Sequence, residues 1–428
     1  MSLLQQFRGN SLRAGSFKVM AGVAFFGVST YVFTVLTSRA LGPAGFAEFS
    51  LFWGLTYGIG LGVSAPFEQE TSRRVSALTA MGRGPRPVFL AGLGAAGVVA
   101  LPVVLVLVPV TWLLAKQGHG LPLWGSCSLA VLALCVVYLT RGTLSGTHHF
   151  GSYATQFGVE GVTRLVLAVA LWVAGVASPW PYAFVIPLAL LLGVVVTSRV
   201  VRAEVRRPAP TPAELPEPTT LGRFLAYLGA MVVASTISMS LVNFGPVVVN
   251  VLTPKGVTSD AGSFLAAALI ARTPIFLFAA VQAVLIPRLV RAVVERDHAA
   301  FGATVRRVLV PTAGLGALGV LGCLALGPEV LHIMSGPQFH LARTDITLLA
   351  LSTAFILATL VFQPAAFALK AHWPAVAAWV VAGLVFVGCC LLPGDPVRVV
   401  GIALVVSSAV AAAGLAVAVN RGMRPAAD

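Results

Sequence analysis

Apolar runs of about 20 residues recur along the whole chain, separated by short polar or basic segments. The runs are continuous, with none of the alternation that marks a strand with one wet face. Inside hydrocarbon every backbone N–H and C=O must be paired within the segment, so the pattern predicts transmembrane helices. About twelve spans follow from the ~30 Å thickness of a bilayer core. The first six are Val19–Leu36, Ala44–Ser64, Val88–Leu114, Leu121–Thr140, Tyr153–Val176 and Pro181–Val201. The second six are Phe224–Val251, Ala261–Ile286, Val308–Leu326, Ile346–Leu369, Trp373–Leu392 and Val399–Val419. The predicted fold class is an all-α polytopic membrane protein. Met1–Lys18 is polar and basic, too long for the head of a signal peptide, and no small-x-small cleavage site follows Leu36. Val19–Leu36 therefore reads as a retained first helix.

Composition agrees with this pattern. Hydrophobic residues make up 58% of the chain and charged residues 10%, less charge than the surface of a soluble protein of this length needs. The net charge of +14 would point to nucleic acid in a soluble chain. Here the basic residues lie between the spans, and no nucleic-acid partner is expected. With the N-terminus inside, the outer segments hold only Arg39, Lys116, Lys255, Arg343 and Arg398. Arg164 and Arg272 fall within the membrane, and every other Arg and Lys lies on a cytoplasmic segment. The alternation survives every loop, which predicts an even helix count and both termini in the cytoplasm.

Arg202–Thr220 reads RAEVRRPAPTPAELPEPTT, a Pro-rich extended linker. It divides an N-terminal six-helix lobe (1–201) from a C-terminal one (221–428), with 202–220 cytoplasmic. AGLGAAGV at Ala91–Val98 recurs as AGLGALGV at Ala313–Val320, and Ala44-Gly45-Phe46 is echoed by Ala261-Gly262-Ser263-Phe264. Both pairs are about 220 residues apart and sit in corresponding spans, as an internal repeat requires. Six spans return the chain to the same side, so the lobes are expected to be parallel repeats related by a pseudo-two-fold axis along the membrane normal.

Several stretches resemble the multidrug/oligosaccharidyl-lipid/polysaccharide flippase superfamily, in particular its polysaccharide (O-antigen-type) branch. TSRALGPAGFAEFSLFW (Thr37–Trp53) is similar to the family's link from first to second helix. APFEQETSRRVSAL (Ala65–Leu78) resembles the second-helix exit, and RGTLSGTHHFGSYA (Arg141–Ala154) the loop between helices four and five. RTPIFLFAAVQAVLIPRL (Arg272–Leu289) resembles the eighth helix, and LHIMSGPQF (Leu331–Phe339) the short outer segment before helix ten. The resemblance implies two six-helix lobes around a central cavity, alternating access, and a place in the bacterial inner membrane. It implies a substrate of the polyprenyl-(di)phosphate-linked oligosaccharide class, flipped from inner to outer leaflet. Membrane lipids, and glycosyltransferases or a polymerase of the same pathway, are the partners it suggests. Lipid II flippases of the superfamily carry further C-terminal helices beyond twelve. Drug-extruding relatives place an acidic residue in the first helix, and Val19–Leu36 has none. A Gly-x-x-x-Asp-Arg-type motif of the major facilitator superfamily is absent from Pro66–Pro87.

Apart from Arg199 at the cytoplasmic end of the sixth span, ionisable residues within the spans are few: Glu48, Glu160, Arg164 and Arg272. Each costs about 2.5–3.5 kcal/mol at a helix centre, so each is expected to face protein or water. Arg272 precedes a helix-bending Pro274, and its planar fork suits a phosphate, or equally a carboxylate of another helix. Glu160 and Arg164 are four apart on one helix face, as a self-neutralising pair or as part of a translocation path. Glu48 opens the second span at the outer interface. Asn243 and Gln282 can bond sugar hydroxyls or neighbouring helices. Arg141, His148 and His149 are expected on a cytoplasmic loop, facing solvent or an inner-leaflet headgroup. Cys127, Cys135, Cys323, Cys389 and Cys390 lie within spans without metal-ligand spacing and read as packing residues. No P-loop, zinc cluster or nucleophile elbow is present, so an enzyme is not expected, nor any cofactor; the coupling ion is unspecified. Three readings stand: a lipid-linked glycan flippase, a small-molecule or drug exporter of the same fold, and a non-transporting scaffold for glycan-synthesis enzymes.

The charge alternation makes a topological prediction. A single cysteine placed at Pro208 in a cysteine-free background should resist a membrane-impermeant maleimide in intact cells and react after permeabilisation. Strong labelling before permeabilisation would invert the orientation.

Overall fold

The computed structural model describes residues 3–115, 119–207, 220–254, 260–275 and 297–423, with single positions between 276 and 296. Among the described residues the chain forms helices and turns and no strand. In chain order the helices are α1 (Leu3–Leu55), α2 (Leu61–Ala80), α3 (Arg86–Leu114), α4 (Gly120–Gly146), α5 (Phe150–Val173) and α6 (Pro179–Val205). They continue as α7 (Leu221–Asn243), α8 (Gly245–Leu252), α9 (Ala261–Ala271), α10 (His298–Ser335), α11 (Arg343–Ala368), α12 (His372–Cys390) and α13 (Pro396–Gly422). A π-helical turn, Thr56–Gly60, joins α1 to α2.

Nine helical runs are long and apolar enough to cross a membrane among the described residues, or ten with the bent pair Leu221–Gly229 and Met231–Asn243. Such a set of spans makes this a multi-pass membrane protein. The expected spans have helices at their positions. The first two share one run, Phe17–Ala80, whose 64 residues exceed what one ~30 Å core can hold. The run breaks at Gly42, where φ is +64° and Pro43 follows. Glycine accepts that φ without a Cβ clash, and proline cannot donate back into the ladder. The eighth span is described only as the short apolar helix Ala261–Ile275.

Several helices overrun their expected ends. α4 continues six residues past Thr140 to Gly146, and α10 begins at His298, well before Val308. Hydropathy registers only the hydrocarbon layer, while a helix continues into water wherever its backbone stays paired and its charged side chains find partners. Glu70, Arg73 and Arg74 show this on α2. Arg73 Nη2 lies 2.8 Å from Glu70 Oε1, Arg74 also pairs with that oxygen, and both guanidinium groups lie over the Tyr227 ring.

By contacts the chain forms two compact units, Met1–Ala40 with Ile59–Ser235, and Leu41–Gly58 with Thr236–Asp428. Within the first, α4 packs against α2, α3 and α6, and α5 packs on α6. Close approach is set by small residues. A Cβ on Gly142 would meet Glu68 O and Thr71 Cβ at 2.7 Å, and one on Gly146, a turn later, would meet Val75 Cβ at 2.6 Å. Gly161 on α5 lies as tightly on Ser29 of α1. Within the second unit, α11 packs on α10 and α13, and α12 on α13. The Leu41–Gly58 segment is buried in this unit through Phe46, Phe49 and Phe52, with Phe46 edge-on to Phe339 at 5.9 Å.

The α2–α4 contact yields a stability prediction. Gly142→Ala pushes a methyl into backbone that cannot swing aside, and should cost about 1–3 kcal/mol, read as a lower melting temperature in detergent. Gly97→Ala on α3 meets nothing within 4 Å and should be neutral or stabilising. Equal behaviour of the two variants would show that α2 and α4 are not held at this distance.

Candidate functional site

A buried network of charges joins α1, α2, α4 and α5 inside the first unit. Its centre is Glu160, 2% exposed, which holds two cations at once. Arg141 Nη2 on α4 donates to Glu160 Oε2 at 2.8 Å, and Arg164 Nη2, one turn along α5, donates to Oε1. The four-residue spacing puts Glu160 and Arg164 on one face of α5, with the acid toward the N-terminus. Arg164 Nη1 reaches Thr30 Oγ1 of α1 at 3.3 Å, and its guanidinium lies 4.8 Å from the Phe26 ring centre. Arg141 is sandwiched closer still, 3.8 Å from the centre of Phe157.

The same stripe of α5 carries the network toward the α4–α5 turn. Gln156 donates to Thr140 Oγ1 at 3.1 Å and to Thr197 Oγ1 at 2.8 Å. The Tyr153 hydroxyl donates to Glu68 Oε1 of α2 at 2.6 Å. Formal charges on Arg141, Arg164, Glu160 and Glu68 cancel when Glu68 is ionised, and protonating Glu68 leaves one net positive charge. Two carboxylates and two guanidinium groups compensate one another here where an isolated charge would be expelled.

Several expected placements change. Arg141 is not on a loop: it lies inside α4 and is 3% exposed, because Glu160 reaches it and removes the need for water. His148 occupies the α4–α5 turn with φ +61°, and His149 Nε2 sits 3.8 Å from Glu204 of α6. Glu48 is half-buried on the helical segment after Gly42. Arg272 is buried at a one-residue interruption of the helix: α9 stops at Ala271, Thr273–Ile275 are helical again, and the Arg272 N–H bonds to the Ala268 and Leu269 carbonyls. Pro274 explains the break, since it lacks the N–H that would continue the ladder. Asn243 ends α7, donating to Met239 O at 3.0 Å and to Tyr57 O at 3.4 Å. Gln282 lies outside the described residues. Glu68, Tyr153, Gln156 and Thr30 were not singled out from the sequence. The i, i+3, i+7, i+11 run of polar residues Tyr153, Gln156, Glu160 and Arg164 carried the signal for all but the partners on other helices.

A second polar region belongs to the other unit, a cavity of about 630 Å³ lined by Asp260, His332, His340, Asp345, Asp395 and Arg398 among others. Arg398 Nε donates to Asp345 Oδ1 at 3.3 Å, and the His332 and His340 rings meet edge-on with nitrogens 3.3 Å apart. Burial, and then the neighbouring Asp395 carboxylate, push the Asp260 carboxyl above its usual range. No group of three or more His, Cys, Asp or Glu is arranged to hold a metal among the described residues.

The network around Glu160 is testable by its stability. Glu160→Gln leaves two buried arginines facing an amide and should cost about 3–5 kcal/mol, seen as a lower melting temperature. Adding Arg141→Leu should recover part of that loss, because one stranded cation is removed. A wild-type melting temperature for Glu160→Gln would show that the ion pairs contribute nothing to the unit.

No protein-family model matches the chain. It is 27% identical over 362 residues to an uncharacterized protein of Mycobacterium tuberculosis strain H37Rv, covering 81% of this chain and 78% of that protein. A second uncharacterized protein of the same strain is 27% identical over 393 residues, covering 90% and 86%. Among solved structures, an inward-facing multidrug resistance MATE family transporter of the MOP superfamily matches with a TM-score of 0.68 at 13% identity, covering 93% of this chain and 94% of that one. A eukaryotic MATE transporter matches with a TM-score of 0.63 at 13% identity (96% and 100% covered). A Vibrio cholerae MATE transporter mutant matches with a TM-score of 0.62 at 15% identity (96% and 97%). The fold of this multi-pass membrane protein is thus the fold seen in MATE transporters of the MOP superfamily.

Proposed function

We propose that this protein is a transporter that flips a polyprenyl-(di)phosphate-linked oligosaccharide, or a related cell-envelope glycan precursor, from the inner to the outer leaflet by alternating access. The MATE-like fold supports transport in general. The observation that favours an anionic substrate over a cationic drug is the state of Glu160. A cation exporter needs an available carboxylate in its spans, and this one is held by two arginines. Val19–Leu36 offers no acid in its place. Arg272, buried at the break before Pro274, is the residue we assign to the diphosphate, with the planar fork that phosphate recognition uses. Outward movement of an anion also runs with the field of a negative cell interior, worth about 2.3 kcal/mol per charge per 100 mV.

The setting we propose is the bacterial inner membrane with both termini cytoplasmic, in two parallel six-helix repeats, alongside the glycosyltransferases or polymerase that make and use the glycan. A second reading, a small-molecule exporter, draws on a different observation. Glu68 bonds Tyr153, a neutral partner, and among the described residues no arginine forms a salt bridge with it, Arg141 acting on it only through a longer-range charge interaction. Glu68 is the group that a proton- or cation-coupled exporter of this fold would use.

Complementation of a strain defective in glycan export separates these readings. Arg272→Gln should abolish export and Arg272→Lys should retain part of it, with normal amounts of protein in the membrane. Arg164→Gln should act mainly through stability, lowering the amount of protein. Full export by Arg272→Gln at normal levels would remove the anion role. Drug resistance conferred by the wild-type protein and lost in Glu68→Gln would favour the exporter.

A further inference from the structure

The segment Leu41–Gly58 ends in a feature that the charge network does not use. Trp53, Thr56 and Tyr57 stand at i, i+3 and i+4, on one face of the helix, and the π-helical turn begins at Thr56. The Trp53 and Tyr57 rings form a pair with centroids 4.4 Å apart, tilted by 43°. Trp53 is 4% exposed and Thr56 fully buried, yet neither Trp53 Nε1 nor Thr56 Oγ1 has a hydrogen-bond partner among the described residues. Buried polar groups of this kind are rare, because each loses its water without a replacement. The π turn itself is an uncommon distortion that concentrates at functional positions. Asn243, from α7 of the same unit, brings its amide to Tyr57 O at 3.4 Å. The approach is made possible by Gly54 and Gly58, where added Cβ atoms would strike Val247 and Phe244 at 2.4 Å.

We propose that Trp53, Thr56, Tyr57 and Asn243 form a subsite for one sugar ring of the transported molecule. None of the four side chains carries a charge, so a phosphate or a cation gains little here. A pyranose ring fits the chemistry. Its C–H face packs on an aromatic surface, and its hydroxyls can accept from the indole N–H and exchange bonds with the threonine hydroxyl. A few fixed polar groups among aromatic walls is how a small-molecule site selects orientation. The unpartnered indole and hydroxyl are then groups that become satisfied only when the sugar arrives. This subsite rests on the glycan reading above, and it divides the labour: Arg272 takes the charged headgroup, and the π-turn face reads the sugar.

The test uses the full-length protein in lipid nanodiscs. The probes are farnesyl phosphate and farnesyl phosphate bearing glucose, galactose, rhamnose, arabinose or N-acetylglucosamine. At least one glycosylated probe should bind more tightly than the sugar-free carrier. Trp53→Phe, which keeps a ring and removes the N–H, and Thr56→Val should each weaken that probe roughly tenfold, leaving sugar-free farnesyl phosphate unchanged. Trp53→Phe is expected to melt lower through lost ring volume alone, so it is read by binding only. The melting temperature of Thr56→Val should hold or rise, since its hydroxyl has no hydrogen-bond partner among the described residues, and a fall would assign that hydroxyl a structural role and overturn the subsite. It is equally overturned if no sugar improves binding, or if the improvement survives both substitutions. Sugar-dependent, Trp53-sensitive binding by a protein that flips no lipid-linked glycan in proteoliposomes would leave the subsite standing and refute the transport reading. Flipping whose sugar preference ignores both substitutions would do the reverse.

Discussion

A carboxylate that must satisfy two guanidinium groups in hydrocarbon organises the first unit. Glu160 cannot hold both Arg141 and Arg164 unless α4 and α5 keep their register. Arg164 then fixes α1 through Thr30, and Phe26 and Phe157 close over the two cations. Non-directional packing alone would let these helices slide, since lipid tails compete for apolar surface as well as neighbouring side chains do. Charge compensation does not permit sliding, because a displacement of a few ångströms strands a charge. The glycines at 142, 146 and 161 are the steric counterpart: they let the helix axes come close enough for short side chains to meet.

Much of this was legible from the sequence. The placement of the apolar runs follows from the length of helix needed to cross a bilayer, and the described part of each run is helical apart from short breaks such as Phe244 and Arg272. The Gly42-Pro43 junction between the first two spans pairs the two residue types that most disfavour a continued helix. The i, i+4 pairing of Glu160 with Arg164 was equally readable, because it lies within one helix.

What could not be read was whatever depends on contacts between helices or on charge outside the apolar window. Arg141 falls where hydropathy ends, so it looked like a loop residue; its partner, 19 positions away, brings it inside α4. Glu68 was hidden in the same way, since its partner Tyr153 is 85 positions distant. The sequence puts Arg272 beside the bend expected from Pro274, and the helix is interrupted at Arg272; most of the run from 276 to 296 lies outside the described residues. The π turn has no signature in composition at all. It shows only in the backbone, and through the Trp53 and Thr56 polar atoms near it that have no hydrogen-bond partner among the described residues.

The packing of Leu41–Gly58 with residues from Thr236 onward has a consequence for biosynthesis. The segment leaves the ribosome long before the helices it is to rest on exist. At 5–20 residues per second, the wait is roughly 10–40 s. Through that interval the contacts of Gly54 and Gly58 with Val247 and Phe244 are unmade, and the segment must lodge in lipid, against an insertase, or against earlier helices. Its flanks meanwhile can already take their places, because the residues before Leu41 and after Gly58 pack with earlier-made chain. Assembly in this protein is therefore not sequential from N- to C-terminus: an early helix is held over until the chain is more than half made.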